Sequence, residues 1–414
     1  MRESIVVIIL FFVCTLSKSF VHSNQETSKN VTSKPTFVTF PLVWQKSPRV
    51  KLLEMGVHPN VIQSLFKTHT KSEIEKKGKG PVKNDTVQLF KYLDNEFFAR
   101  VYLGHPGKPF NLVLDTTWGD SFVPSVRCPE TNIACLNKNK YDHDISSMYV
   151  NPNKTFNVSG MTGDLAMDLL HLGHVNVTNF TFAEIDYVPK SMLFNKADGI
   201  LGMAFKELNS YNSLPFFYRL TELNPQMNKV FSFYFNRDTS TKKGGTLAIG
   251  MVQTKHYNEP LNYFKVTSNS YWQLKMDKVI LEERKKKNDT LCAAGCNALF
   301  DTGSTTIGVP ASDLKEINKI TRATEFLHSG RFSVDCKTIH QLPSIHFIFG
   351  GIEHSLKGKE YVQNLDVGPL HLCVTAFLPS PLPGTWTIGG TFLYRHYSVF
   401  DLDKRQIGLA KSRL

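Results

Sequence analysis

The chain has 414 residues, of which 41% are hydrophobic and 20% are charged, and its formal net charge is +12. This is an ordinary globular composition, which excludes wholesale disorder and collagen-like or low-complexity structure. The length allows one large domain or two lobes, each able to bury a core.

The positive charge is concentrated near the N-terminus. Residues 24–83 contain 11 Lys and Arg against 4 Asp and Glu, so the remainder of the chain is only slightly basic. A charge excess confined to one segment does not give a folded basic face. We therefore do not expect nucleic-acid binding as the main function.

The first 22 residues are predicted to be a signal peptide. Arg2 precedes an apolar run over residues 5–14, which suits a secretory signal and is too short to cross a bilayer. N-x-S/T sequons begin at Asn30, Asn84, Asn153, Asn157, Asn176, Asn179 and Asn288. This combination predicts a glycoprotein without a membrane span, either secreted to the extracellular space or delivered to a lysosome-like lumen.

The cysteine count agrees with an oxidising compartment. Cys14 leaves with the signal peptide, and the even number that remains suggests disulfides. Proximity in sequence favours Cys128–Cys135 and Cys292–Cys296, which leaves Cys336–Cys373. Zinc binding is the alternative, but there is no C-x-x-C pair or His cluster with metal-ligand spacing. We expect no metal and no cofactor.

The body of the chain is predicted to be mostly β. Residues 23–84 form a separate basic segment with a predicted helix over Val50–Phe66. From about Val87, short β-branched and aromatic runs alternate with Gly, Pro, Asn and Asp, a pattern typical of strands and turns. The predicted strands include Phe97–Leu103, Phe110–Leu114, Phe231–Phe235, Thr246–Ile249, Ile345–Phe349 and Tyr397–Phe400.

A short pattern occurs twice in this β-rich body. An apolar strand ends in Asp115-Thr116, and another ends in Asp301-Thr302. Two such copies in similar halves suggest a pseudo-twofold axis that brings Asp115 and Asp301 together. One Asp-Thr turn alone is commonly a structural cap, so two unrelated caps are the alternative.

Two neighbouring carboxyl groups have a defined chemistry. They cannot both ionise easily, so they share one proton. The ionised group can take a proton from a water molecule while the protonated group hydrogen-bonds a substrate carbonyl, and the water then attacks that carbonyl. The hydroxyl groups of Thr116 and Thr302 can each brace the turn of the other lobe.

Further motifs follow in an order that resembles the pepsin and cathepsin D family of aspartic endopeptidases. The resemblance extends from about Phe40 to Leu414 and rests on several strings. They are Leu65-Phe-Lys-Thr-His69, Leu93–Gly104, Asp198–Phe205, Phe231–Asp238, Tyr271–Asp277, Cys292–Cys296 before Asp301–Ser304, Trp386–Gly390 and Tyr397–Asp401. Together these strings argue against the alternative that the two Asp-Thr turns are unrelated structural caps.

The resemblance implies a bilobal, mostly β fold with pseudo-twofold related lobes and a central cleft for an extended peptide. It implies a zymogen with a prosegment over residues 23–84, an N-terminal lobe over 85–260 and a C-terminal lobe over 261–414. It also supports the three disulfides above. The implied catalytic residues are Asp115 and Asp301, supported by Thr116, Thr302, Gly303 and Ser304, with Ser304 hydrogen-bonding on the Asp301 side.

The first Asp motif departs from the family pattern, which is Asp-Thr-Gly-Ser. Here Thr117 and Trp118 follow Asp115-Thr116. A β-branched residue in place of Gly is less accommodating, and Trp118 cannot replace the serine hydroxyl that would hydrogen-bond the aspartate. We expect the loss of that hydrogen bond to alter how the two carboxyl groups share a proton.

The hairpin that covers bound substrate in the family also differs. Val150–Val158 aligns with its first strand and Ser159–Gly163 with its return strand, so about four residues are missing between Val158 and Ser159. An ungapped alternative places Phe156 at the position of the family's tyrosine. In either alignment the phenol is absent, and we expect this loss to lower the rate.

The sequence thus predicts an aspartic endopeptidase that hydrolyses peptide bonds at acid pH, acting on peptides or unfolded proteins as a monomer. The alternative is a catalytically impaired or silent homologue that binds peptides or proteins in the same cleft. The survival of both Asp and both Thr residues favours the enzyme.

Overall fold

The structure is a computed structural model. It describes residues 38–45, as backbone only, and residues 96–413 except 137, 174, 190–191, 193–196, 237–242, 284–287, 327–329 and 368–369. The predicted signal peptide, the predicted helix over Val50–Phe66 and most of the predicted prosegment lie outside these residues.

Strands dominate the described part of the chain. They are β1 Val38–Gln45, β2 Glu96–Leu103, β3 Lys108–Asp115, β4 Phe122–Pro124, β5 Thr155–Val158, β6 Met161–Leu172, β7 Val175–Ile185, β8 Gly199–Gly202, β9 Val230–Phe235, β10 Lys243–Ile249, β11 Tyr257–Lys265, β12 Gln273–Met276, β13 Lys278–Glu282, β14 Asp289–Leu291, β15 Cys296–Phe300, β16 Ile307–Val309, β17 Thr324–Glu325, β18 Phe332–Val334, β19 Ser344–Phe349, β20 Ile352–Leu356, β21 Val362–Val367, β22 Leu370–Thr375, β23 Phe377–Pro379, β24 Thr385–Ile388, β25 His396–Asp401 and β26 Gln406–Ser412. All six strands named from the sequence are confirmed, each slightly longer than predicted.

The helices of the described residues are short. The α-helices are α1 Ile133–Leu136, α2 Phe216–Leu223, α3 Ala311–Thr321, α4 Gly358–Tyr361 and α5 Gly390–Leu393, and 3₁₀ turns cover His143–Ile145, Lys206–Leu208, Thr254–His256 and Cys336–Gln341. None of the helices in the described ranges is long and apolar enough to cross a membrane.

The strands form four sheets. The largest has the order β11-β26-β25-β9-β10-β1-β2-β3-β8-β4-β7-β6-β5, so it contains the first half of the chain and its C-terminal strands. The second half contributes β12-β15-β24-β16-β23, β14-β13-β19-β20 and β17-β18-β22-β21. The prediction of a mostly β protein is confirmed.

The two halves repeat one arrangement of four strands. In the first half, β3 pairs in parallel with β8, β8 pairs antiparallel with β4, and β4 pairs in parallel with β7. In the second half, β15 pairs in parallel with β24, β24 pairs antiparallel with β16, and β16 pairs in parallel with β23. The strands β3 and β15 lead into the two Asp-Thr turns. The repeated topology is that of the bilobal pepsin-like fold.

A buried tryptophan links the two halves behind these turns. Trp272 is 1% exposed, and its indole N–H donates to the carbonyl of Met203 at 3.0 Å. Its ring packs on Phe205 with centroids 4.3 Å apart. The amide of Met203 in turn donates to the Asp115 carbonyl at 2.8 Å, and the amide of Phe300 donates to the Trp272 carbonyl at 2.9 Å. Both Asp turns are therefore fixed to one core.

Three disulfides join Cys128 to Cys135, Cys292 to Cys296 and Cys336 to Cys373, the pairing that the resemblance implies. The predicted boundary between the lobes, at residues 260 and 261, falls inside β11 and remains a prediction.

Candidate active site

Both aspartates lie at the ends of buried strands. Asp115 is the last residue of β3, and Asp301 directly follows β15. The Asp115 carbonyl accepts the amide of Met203, and the Asp301 amide donates to the Ile388 carbonyl at 3.0 Å. Each side chain is fully buried. The parallel strand beside each turn thus fixes the backbone from which the carboxyl group projects.

The two turns brace each other through threonine side chains. The amide of Thr116 donates to Oγ1 of Thr302, and the amide of Thr302 donates to Oγ1 of Thr116, both at 3.1 Å. Each hydroxyl also donates across to the other half, Thr116 to the Phe300 carbonyl at 2.7 Å and Thr302 to the Leu114 carbonyl at 2.6 Å. This reciprocal pattern is the one expected for two pseudo-twofold related turns.

The second turn approaches the first aspartate very closely. A Cβ atom built on Gly303 would lie 2.0 Å from Oδ2 of Asp115 and 2.5 Å from its Cγ. No side chain fits in that gap, so position 303 requires glycine. Oδ2 of Asp115 therefore faces the second half of the site, where Asp301 lies two residues before Gly303.

The donors on each carboxyl group differ between the halves. Oδ1 of Asp301 accepts the amides of Gly303 at 2.9 Å and Ser304 at 3.0 Å. The Ser304 hydroxyl points away, to the Thr306 carbonyl at 3.5 Å. Ser304 therefore supports Asp301 through its backbone.

At the first half-site, a single residue supplies two donors. Oδ1 of Asp115 accepts the amide of Thr117 at 2.9 Å and the hydroxyl of the same residue at 2.8 Å. Trp118 supplies no hydroxyl, as its residue type implies, but the hydroxyl of Thr117 donates to Asp115. This hydroxyl comes from the residue one position before that of the family's serine, because Thr117 stands where the family has glycine.

Comparison with known proteins identifies the family. A family profile described as eukaryotic aspartyl protease matches residues 96–412. This chain belongs to the eukaryotic aspartyl protease family. It is similar to cathepsin D of Gallus gallus, with 32% identity over 387 residues that cover 90% of this chain and 94% of that protein. It is also similar to cathepsin D of Clupea harengus, 33% identical over 78% of this chain and 83% of that protein. Cathepsin D of Homo sapiens is 31% identical over 78% of this chain and 82% of that protein.

Within this aspartyl protease, Trp118 is a core residue. It is 4% exposed and packs edge-on against Phe122 with ring centroids 5.8 Å apart. It shares a buried cluster with Phe156, Val158 and Met161 of the neighbouring hairpin. Its indole nitrogen is buried without a hydrogen-bond partner among the described residues. Such a group costs about 1–3 kcal/mol, so the apolar packing of the ring has to outweigh this cost.

The hairpin itself is short. Its strands β5 and β6 join through a two-residue turn at Ser159 and Gly160, with Val158 opposite Met161. Both turn residues have positive φ, 52° and 76°, as two-residue hairpin turns of this kind require. The turn thus lies at the junction where the sequence comparison placed the missing residues.

A tyrosine from another loop holds this hairpin. The hydroxyl of Tyr211 accepts the amide of Asn157 at 2.7 Å, and its ring lies against Phe156 with centroids 5.5 Å apart. Phe156 is 1% exposed and therefore points into the protein. No sequence motif marks Tyr211, so its contact with the hairpin could not be predicted.

The loop that carries Tyr211 is tied back to the first Asp turn. The carboxyl group of Asp120 accepts the amide and the hydroxyl of Ser210, at 3.1 and 2.7 Å. Burial raises the pKa of Asp120, and the bonds from Ser210 partly offset this. Trp118 and Asp120 thus link the first Asp turn to the hairpin from two sides.

Proposed function

We propose that this protein is an acid endopeptidase in which Asp115 and Asp301 are the catalytic pair. The observation that carries this proposal is the approach of the two Asp turns. The reciprocal bonds of Thr116 and Thr302, and the closeness of Gly303 to the Asp115 carboxyl group, join the two turns and support a shared site for both carboxyl groups.

The chemistry follows from that proximity. Burial disfavours charge on both groups, so one proton is shared between them. The ionised group removes a proton from a water molecule, and the protonated group donates to the carbonyl oxygen of the peptide bond. The resulting tetrahedral diol collapses when a proton passes to the leaving nitrogen. No covalent bond to the enzyme forms.

The substrate is proposed to be an extended peptide or an unfolded protein, bound by a monomer. The hairpin formed by β5 and β6 has no tyrosine at the position where the resemblance implies one. Closure over the substrate contributes to rate in such sites, so we expect slower turnover than in relatives with the longer hairpin.

Passage through the secretory pathway is part of the proposal. The five sequon asparagines within the described residues are all exposed, and they are Asn153, Asn157, Asn176, Asn179 and Asn288. The disulfides also suit an oxidising compartment. Asn30 and Asn84 lie outside the described residues.

The test uses the full chain secreted from a eukaryotic host and treated at acid pH. Cleavage of denatured haemoglobin is expected for the wild type and not for Asp115→Asn or Asp301→Asn. The matched control is Asp403→Asn, because Asp403 is a surface residue paired with Lys229. Cleavage by either dyad variant at the wild-type rate would contradict the assignment.

A binding measurement separates the enzyme from a silent homologue. A statin-type peptide inhibitor should bind the wild type tightly in acid and weaken when either aspartate is changed. Tight binding without cleavage of any peptide would favour the silent homologue.

A further inference from the structure

The first half-site contains a side chain whose function the sequence motif did not predict. Thr117 is 2% exposed, and its amide and hydroxyl both donate to Oδ1 of Asp115, at 2.9 and 2.8 Å. At the second half-site the equivalent position is Gly303, which contributes only its amide. Oδ1 of Asp301 also accepts the amide of Ser304, whereas Oδ1 of Asp115 accepts the hydroxyl of Thr117.

The two carboxyl oxygens of Asp115 have different surroundings. Oδ2 faces Gly303 and the second turn, since a Cβ on Gly303 would lie 2.0 Å from it. Oδ1 points to Thr117. Two donors on Oδ1 fix the rotation of the carboxyl group, and that rotation turns Oδ2 toward the second half-site.

We propose that the Thr117 hydroxyl is the positioning group for Asp115, replacing the hydroxyl that Trp118 lacks. This inference rests on the proposed function and adds a residue to it. Hydrogen bonds to a carboxylate favour its ionised form, so the Thr117 hydroxyl stabilises the charge on Asp115. Asp301 lies in the second turn, two residues before the Gly303 that approaches Asp115, while the carboxyl group of Asp120 accepts the Ser210 hydroxyl.

The proposal makes Thr117 and Trp118 a compensating pair. Trp118 fills the core beside Phe122, so its position no longer supplies a hydroxyl. Thr117 supplies it from the preceding residue. Replacing Thr117 by glycine alone would restore the family residue and yet remove the hydroxyl that donates to Oδ1 of Asp115.

The main test compares two near-isosteric variants. Thr117→Val keeps the shape and the amide and removes the hydroxyl, and Thr117→Ser keeps the hydroxyl. We expect Thr117→Val to lower kcat by roughly 10-fold with little change in KM, by analogy with outer-shell groups elsewhere. Its acid limb in a plot of kcat/KM against pH should move to higher pH, because ionised Asp115 loses a donor. Thr117→Ser should remain close to the wild type.

A structural role alone would give a different result. It would lower the thermal midpoint of Thr117→Val and leave the acid limb in place, and that outcome overturns the proposal. Equal kcat for Thr117→Val and the wild type also overturns it.

A double-mutant cycle provides an independent measurement. Thr117→Gly should lose activity, and adding Trp118→Ser to it should restore part of that loss by returning a hydroxyl to the turn. Additive losses in the double variant would contradict the compensation.

The inhibitor distinguishes failure of this inference from failure of the proposed function. If the wild type cleaves nothing, the affinity of a statin-type peptide can still be followed against pH. Thr117→Val should then weaken binding at the acid end, and Thr117→Ser should not. An unchanged pH profile of binding in Thr117→Val would refute the positioning role.

Discussion

The stability of this protein should decline in mild acid because of a buried histidine. His354 lies on β20, is 6% exposed, and its Nε2 has no hydrogen-bond partner among the described residues. Aromatic rings surround it, with centroids no more than 6.0 Å away, and they belong to Phe264, Phe349, Phe392 and His396. Burial in these surroundings lowers the pKa of His354 from 6.5 to about 4, although Glu353 partly opposes the shift.

The sign and size of the effect follow from linkage. Above pH 6.5 the histidine is neutral in both the folded and unfolded states and contributes no pH dependence. Between pH 6.5 and about 4 the unfolded chain binds a proton that the folded chain does not, so stability falls as the pH falls. At 1.36 kcal/mol per pKa unit, the total loss is about 3 kcal/mol.

The variant His354→Phe removes the titrating group and suits the aromatic surroundings. Urea unfolding followed by tryptophan fluorescence, at pH 7.5 and at pH 4, gives the free energy of unfolding of each protein. The decrease between the two pH values should be about 3 kcal/mol smaller in His354→Phe than in the wild type. The control His340→Phe should match the wild type, because His340 is exposed in the folded state. Equal decreases in the wild type and in His354→Phe would refute the reasoning.

Three further variants test the candidate active site, the contact between the two Asp turns and one disulfide. Gly303→Ala places a methyl group 2.0 Å from Oδ2 of Asp115, so peptide cleavage should fall by roughly 100-fold while the protein stays folded by circular dichroism. Thr302→Val removes two hydrogen bonds to the first half, from the Thr116 amide and to the Leu114 carbonyl, and should lower the free energy of unfolding by about 1–3 kcal/mol in a urea titration. Replacing both Cys336 and Cys373 by serine opens a bridge that spans 37 residues, and the thermal unfolding should show a loss of about 4 kcal/mol.

The strands and the pair of Asp turns could be predicted because local patterns determine them. β-branched and aromatic runs between turn residues marked β2, β3, β9 and β19, and a repeated apolar strand ending in Asp-Thr marked both turns. The pairing of those turns across the chain followed from their duplication. The strands depend on neighbouring residues, and the pairing of the turns depends on the repeat, so one sequence is enough to predict both.

The contacts that tertiary packing creates could not be predicted. The bond from Thr117 to Asp115 depends on a side-chain rotamer inside the turn, and the motif indicated only that a β-branched residue is less accommodating there than glycine. The bond from Asn157 to Tyr211 joins residues 54 positions apart, and no local pattern marks either of them for the other. The burial of Trp118 depends on where the shortened hairpin docks.

The position of β1 has a consequence for any maturation that removes residues 23–84. β1 lies in the middle of the largest sheet, where six of its residues pair with β10 and three pair with β2. If β1 dissociated, the backbone N–H and C=O groups of β10 and β2 that face it would lose their hydrogen-bond partners. Each such group that stayed buried would lower the stability of the fold. A cut after Gln45 therefore does not release this strand by itself. Maturation would therefore leave the facing edges of β10 and β2 unpaired unless another extended segment replaced β1.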